Sequence, residues 1–152
     1  MDIYRVTFIG HRIIPNLAAV EDRLEELAFE LLRQKEFVVF YVGHQGDFDR
    51  AVASAVKRAQ KRFGHHNSEL TLVLPYPCKD SVYFEAYYDQ LLYPVDKSTH
   101  FKAAITRRNQ WMMENADLLI AYVDHPSGGA HRALTHAQKR GVEVWNLANP
   151  SP

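Results

Sequence analysis

Phe37-Val38-Val39-Phe40-Tyr41-Val42-Gly43-His44-Gln45-Gly46-Asp47-Phe48-Asp49 holds the transition that decides the fold. Its first six residues form an unbroken apolar run, short and rich in β-branched and aromatic side chains. Such a run suits a strand buried on both faces. Two glycines then interrupt the chain. From Asp49 to Phe63 the apolar positions recur at helical spacing until Gly64 stops them. A buried strand that passes through a glycine loop into a helix is half of a βαβ unit.

The same alternation continues in both directions. Upstream, Tyr4 to Ile9 reads as a strand closed by Gly10. Leu17 to Leu32 then reads as a helix with Leu17, Val20, Leu24, Leu27, Ala28 and Leu31 on one stripe and Asn16 as its N-cap. Downstream, Leu70 to Leu74 is a buried strand broken by Pro75, and Ser81 to Tyr93 is a short helix plus irregular chain. Ser98 to Asn115 is a helix, Asp117 to Val123 a strand, Gly128 to Arg140 a helix stopped by Gly141, and Val142 to Leu147 the last strand. Strands that alternate with helices imply right-handed crossovers. The expected fold is therefore α/β and doubly wound: a mainly parallel five-stranded sheet with helices on both faces. With no repeat, low-complexity stretch or linker, residues 1–152 are expected to form one domain.

Bulk properties narrow the function. The 152 residues are 47% apolar and 24% charged, as in an ordinary globular protein, and 18 basic side chains balance 18 acidic ones. Polyanionic partners are held by a net positive field, so no nucleic acid polymer is expected as a partner. No apolar run reaches the roughly 20 residues of a membrane span, so no membrane partner is expected either. The N-terminus lacks a signal-peptide layout, and a lone Cys78 forms no intrachain disulfide. A cytoplasmic setting is the expectation.

Ligands of open α/β sheets sit beyond the carboxyl ends of the strands, which directs attention to three loops. These are Gly10-His11-Arg12, then Gly43-His44-Gln45-Gly46-Asp47-Phe48-Asp49, and Asp124-His125-Pro126-Ser127-Gly128-Gly129-Ala130. Glycine lets main chain approach a ligand, and a following helix offers free N–H groups to an anion. None of the loops has the Walker or G-x-G-x-x-G pattern. Asp49 is read either as an acceptor for ribose hydroxyls or as a helix cap. Arg107 and Arg108 precede Asn109-Gln110-Trp111-Met112-Met113. A guanidinium forks phosphate, whereas an Arg pair also suits a solvated helix face, and Trp111, Met112 and Met113 look like core anchors. The rings Tyr76, Tyr83, Phe84, Tyr87, Tyr88 and Tyr93 suit packing or a subunit interface better than base stacking. Four of the eight histidines, His11, His44, His125 and His131, fall in or beside these loops. No pair has the i,i+4 spacing of a zinc helix, so no metal is expected, and His11 and His44 are read as polar ligand contacts.

Taken together, Thr7-Phe8-Ile9-Gly10-His11-Arg12, Gly43…Gly46-Asp47-Phe48-Asp49, Leu74-Pro75-Tyr76, Arg108-Asn109-Gln110-Trp111-Met112, Asp117-Leu118-Leu119-Ile120-Ala121-Tyr122 and Gly128-Gly129-Ala130 resemble the YpsA-like branch of the SLOG superfamily. That superfamily comprises Rossmann-like domains related to DprA and to the LOG phosphoribohydrolases. The resemblance spans nearly the whole chain. It implies a Rossmann-like fold that binds nucleotides or nucleotide-derived ligands at these loops. Where the LOG enzymes carry a catalytic Glu, this chain has Thr135, which cannot serve as a carboxylate base. Asp47, Asp49 and Asp124 are the carboxylates that stand nearest to such a role.

The leading expectation is a binding or sensing domain for a nucleotide-derived small molecule, with no resident cofactor assigned. Its candidate ligand contacts are Gly10, His11, Arg12, Gly43, His44, Gly46, Asp49, Arg108, Asn109, Gly128, Gly129 and Ala130. The alternatives are an N-glycosidase or phosphoribohydrolase acting on a nucleoside monophosphate, and an oligomeric interaction protein without a small-molecule ligand. A homodimer or higher homo-oligomer is compatible with each of them.

Overall fold

The computed structural model describes residues 1–149, so residues 150–152 of the expected domain lie outside the described residues. In chain order the elements are β1 (Ile3–Gly10), α1 (Leu17–Gln34), β2 (Phe37–Val42), α2 (Asp47–Phe63), β3 (Ser68–Val73) and α3 (Ser81–Tyr87). They are followed by β4 (Gln90–Leu92), α4 (Phe101–Glu114), β5 (Leu118–Tyr122), α5 (Gly128–Lys139) and β6 (Glu143–Asn146). One sheet runs in the order β4-β3-β2-β1-β5-β6, and every pairing in it is parallel. The doubly wound α/β expectation holds, with six strands instead of five. The added strand, β4, lies in the segment expected to be irregular. Its three residues pair with Thr71, Leu72 and Val73 at the sheet edge, and so short an element has no periodicity to read.

The parallel strands are buried on both faces because successive side chains point opposite ways. Val6, Phe8, Val38, Phe40, Val42, Leu70, Leu72, Leu118 and Ile120 face one layer, where Leu24, Ala28 and Leu31 of α1 meet Ala51, Val52 and Ala55 of α2. Ile9, Val39, Tyr41, Val73, Leu119 and Ala121 face the other, packed by Met112 and Met113 of α4 and Ala133, Leu134 and Ala137 of α5. Trp111 meets Tyr41 edge-on at 5.1 Å between ring centroids. Burial of these side chains, at about 25 cal/mol per Å² of apolar surface, is the main force that holds helices to sheet.

Two local readings change. Asn16 sits at the N-terminus of α1 but has a left-handed backbone (φ 53°) and no side-chain capping bond. An N-cap side chain reaches the N2 or N3 amide from extended backbone, a conformation Asn16 does not have. Helix α2 begins at Asp47 instead of Asp49, after Gly46. Gly64 ends α2 as expected, with φ 114° and its N–H donated to Gln60 O at 2.8 Å. Among the described residues no helix is long and apolar enough to cross a membrane.

The chain winds from β1 outward through β2, β3 and β4, then returns to the other side of β1 for β5 and β6. The reversal falls between β1 and β5. A crevice opens at the carboxyl ends of strands at such a switch point.

Candidate functional site

A crevice of about 390 Å³ lies at this switch point. The end of β1 contributes Gly10, His11 and Arg12, and the β2–α2 junction contributes Gln45, Gly46 and Asp49. Gly128, Gly129, Ala130 and Arg132 come from the start of α5, and Ile105, Arg108 and Asn109 from α4. Four segments far apart in sequence thus share one cavity.

Two of the expected contacts stand off the wall. Gly43 is buried beneath it: a Cβ there would lie 3.0 Å from Asp49 Oδ2 and 3.2 Å from Arg108 Nη1. Gly43 therefore serves the close approach of those two side chains. His44 is exposed, with its ring against Phe84 at 4.8 Å between centroids. None of the rings between Tyr76 and Tyr93 lines the crevice. Phe84 and Tyr88 are buried in the core, Lys57 sits over Tyr87, and Tyr76, Tyr83 and Tyr93 are exposed.

The glycines on the wall differ in what they accommodate. A Cβ on Gly10 would come within 2.4 Å of the Phe48 ring, and one on Gly46 within 2.5 Å of Arg12 Cα. Both are close-packing positions between parts of the protein. Gly128 has φ 87° and nothing within 4 Å of a built Cβ, and Gly129 meets only Arg132 Nη2 at 3.9 Å. Space beside the last two is open.

The two helix N-termini at the crevice differ in the same sense. At α2 the Asp47 amide donates to Arg12 O at 2.8 Å, and Asp47 and Asp49 already place negative charge in the first turn. At α5 the first turn has no acidic residue, and the Ser127 side chain makes no capping bond. The leading amides of α5 and its partial positive charge are available to an anion.

Arg108 and Asp49 form the polar floor. Arg108 is only 3% exposed; its Nη1 donates to Val73 O at 2.8 Å and its Nε to Asn109 Oδ1 at 2.9 Å. The guanidinium plane is thereby fixed, and Nη2 has no acceptor among the described residues. Burial lowers the Arg108 pKa from its ordinary value, and Asp49 opposes that shift. Asp49 accepts from the Gln45 amide at 2.9 Å, which ties the β2–α2 loop to the first turn of α2. Burial pushes its carboxyl above the usual carboxylate range against the opposing pull of that hydrogen bond and of Arg108. Asp49 therefore closes its own loop from the first turn of α2, a bond akin to the helix-cap reading.

Arg132 was not among the candidates, although it follows Gly129 by three residues and so projects from the same helix face. Together with Arg12 it adds two exposed guanidinium groups to the rim. His11 is buried, and its Nε2 accepts from the Asp124 amide at 3.1 Å. Thr135 donates its hydroxyl to His131 O at 3.0 Å within α5.

The architecture defines a Rossmann-like α/β protein with its crevice at a parallel-sheet switch point. No known protein-family model matches the chain, and no curated protein sequence does. Solved structures do. DNA processing protein A (DprA) from Streptococcus pneumoniae superposes with a TM-score of 0.69 at 16% identity, over 93% of this chain and 49% of that one. DprA from Helicobacter pylori, described in its single-stranded DNA binding mode, superposes with a TM-score of 0.67 at 18% identity. That match covers 98% of this chain and 66% of the other. This chain thus spans about half to two thirds of the length of these proteins. The DprA-like fold relationship that the motifs implied is shown; the YpsA-like branch is not distinguished by it. One expectation is overturned. The balanced net charge had excluded a nucleic acid polymer as partner, yet a protein of this same fold binds single-stranded DNA. Net charge sums the whole surface, whereas a strand meets only the groups of one face.

Proposed function

We propose that the crevice binds the sugar-phosphate unit of a nucleotide, with the phosphate on the N-terminus of α5 and the guanidinium groups of Arg132 and Arg12 about it. The single observation that carries this reading is the open start of α5. Glycine main chain with room beside it, an uncapped first turn free of acidic residues, and arginines on the same rim are what a phosphate needs. The crevice volume, about 390 Å³, falls in the range of small-ligand pockets. Arg108, held by Val73 and Asn109, supplies positive potential from below. The finer reading, a sensor for a free nucleotide, rests on the same geometry, while a cytoplasmic setting and the YpsA-like kinship rest on the sequence motifs and composition.

A free nucleotide and a nucleotide unit within a single strand present the same chemistry. The DprA likeness makes the second source worth a separate arm. Calorimetric titration with nucleoside monophosphates, ADP-ribose and cyclic dinucleotides forms one arm, and anisotropy with a labelled short single-stranded oligonucleotide the other. Micromolar or tighter binding is expected in one arm, and Arg132→Ala should weaken it about tenfold, the loss of one charge-assisted contact. No saturable binding in either arm, by protein shown to be folded, overturns the reading.

A second reading has one observation in its favour. A carboxyl whose pKa burial raises, at the wall of a cavity, suits a general acid, and Asp49 meets that description. Release of free base from a nucleoside monophosphate, detected by chromatography and abolished in Asp49→Asn, supports N-glycosidase chemistry. Absence of release by wild-type protein that binds the nucleotide rules it out.

A further inference from the structure

At the rim of the crevice a second group of side chains has chemistry of its own. Strands β1 and β5 are neighbours, with Gly10 in register with Tyr122, so the residues that follow the two strands lie side by side. The His11 amide donates to Tyr122 O at 3.2 Å, which fixes that residue against the end of β5. Its Nε2 stands 3.3 Å from Asp124 Oδ1, and His125 Nδ1 stands 2.7 Å from the same oxygen. The two imidazole rings are stacked at 3.6 Å between centroids, 9° from parallel. No Lys or Arg pairs with Asp124 among the described residues.

We propose that His11, Asp124 and His125 form a binding site for a divalent transition-metal ion of the zinc class. One oxygen and two nitrogens, one from each residue, lie within 4.8 Å of one another. Two imidazole nitrogens and one carboxylate oxygen are a ligand set that zinc takes when three protein groups hold it and a fourth position stays open. Bonds of about 2.0–2.2 Å in a tetrahedron separate the ligand atoms by about 3.4 Å. His11 and Asp124 already stand at that separation. His125 and Asp124 must open by somewhat less than an ångström, and the His125 ring must tilt out of the stack to aim its lone pair. Both residues have room to do so, at 52% and 42% side-chain exposure, whereas His11 is held at 9% and acts as the anchored ligand. The ion takes over the Nε2 lone pair that now accepts from the Asp124 amide. It also balances the Asp124 charge, which only histidines now accompany. Since His11 lines the crevice as well, the open coordination position stands at its edge, within reach of water or a phosphate oxygen. Against the expectation of no metal, which rests on the lack of histidines four apart on a helix, the ligands come from two loops that the sheet joins.

The test uses the full chain, stripped with a chelator and titrated in the absence of any nucleotide. Zinc is followed by calorimetry and cobalt by its visible absorption. One ion per chain is expected, with the intense visible bands of four-coordinate cobalt, and zinc should raise the melting temperature. His125→Ala alters an exposed side chain and should fold as wild type by circular dichroism. It should lower zinc affinity by more than about tenfold, since changes even outside the direct ligands cost 10–100-fold. Asp124→Asn should do the same, while His65→Ala, at the turn after α2, should leave the affinity unchanged. Zinc affinity equal in wild type and folded His125→Ala overturns the site, as does six-coordinate cobalt of negligible visible intensity. Because no nucleotide is present, failure here is separable from failure of the crevice to bind one.

Discussion

Helices α2 and α5 both start at glycine loops that follow strands of the same sheet, and both point at the same crevice, yet their surroundings differ. At α2 the protein is its own occupant: the Arg12 carbonyl takes the Asp47 amide, and the Asp49 carboxylate takes the Gln45 amide. Gly10 and Gly46 are glycines because Phe48 and the Arg12 backbone fill the space a Cβ needs. At α5 nothing fills that space, and the first turn has no acidic side chain and no capping bond. A glycine loop at a strand end is thus ambiguous until the volume beside it is known. Where protein packs against the loop the glycine serves folding; where the volume is empty it is available to a ligand.

The largest expected effect tests the filled side. Gly10→Ala drives a methyl group into the fully buried Phe48 ring, which should destabilise the protein by about 3 kcal/mol, the upper end of overpacking costs. For a chain of this size that lowers the melting temperature by roughly 6–12 °C. A near-neutral result in thermal or urea unfolding would break the comparison at its packed end.

A smaller loss is expected from Gly128→Ala, where space is open but φ is 87°. Left-handed backbone costs a residue with a Cβ about 1–2 kcal/mol, so unfolding should shift by that amount and no more. Equal losses in Gly10→Ala and Gly128→Ala would show that crowding by Phe48 costs no more than left-handed backbone does.

Asp49 sharpens the comparison through pH. Its pKa is raised in the folded state, so the folded protein holds that proton to higher pH than the unfolded chain does. The carboxyl then loses stabilising effect as pH rises from the ordinary value of 3.8 through the raised one. Asp49→Asn lacks this dependence. The melting temperature of the variant minus that of wild type should therefore become more positive as pH rises across that window. The opposite slope would mean that the Arg108 charge outweighs desolvation.

Gly129→Ala should have the smallest effect on folding, within about 0.5 kcal/mol, as at an uncrowded surface position. Its effect should appear in binding instead, as a several-fold weaker affinity in whichever titration arm is positive. Unchanged affinity would place the ligand away from the start of α5.

Much of this was legible in the residues. The run Phe37–Val42, the helical stripe of α1 and the buried pair Met112 and Met113 announce themselves because burial on a fixed period needs only local sequence. So does the position of the three loops, since each follows a strand. Strand β4 was not legible: three residues at an edge, held by pairing with β3, have no pattern of their own. Nor was Arg132 singled out, because its helix face is defined by a neighbour, α4, that lies more than a turn of sequence away.

The chain by itself determined its α/β class, the order of its strands and helices apart from β4, and which loops stand at the carboxyl edge. Those depend on periodicity and chain direction, which are local. Only the folded arrangement decided that Gly43 lies under the site instead of in it, that Arg108 is bonded to Val73 and Asn109, and that His11 meets Asp124 and His125. Each of these is a distance between segments brought together by the sheet, and no spacing along the sequence encodes how near they come.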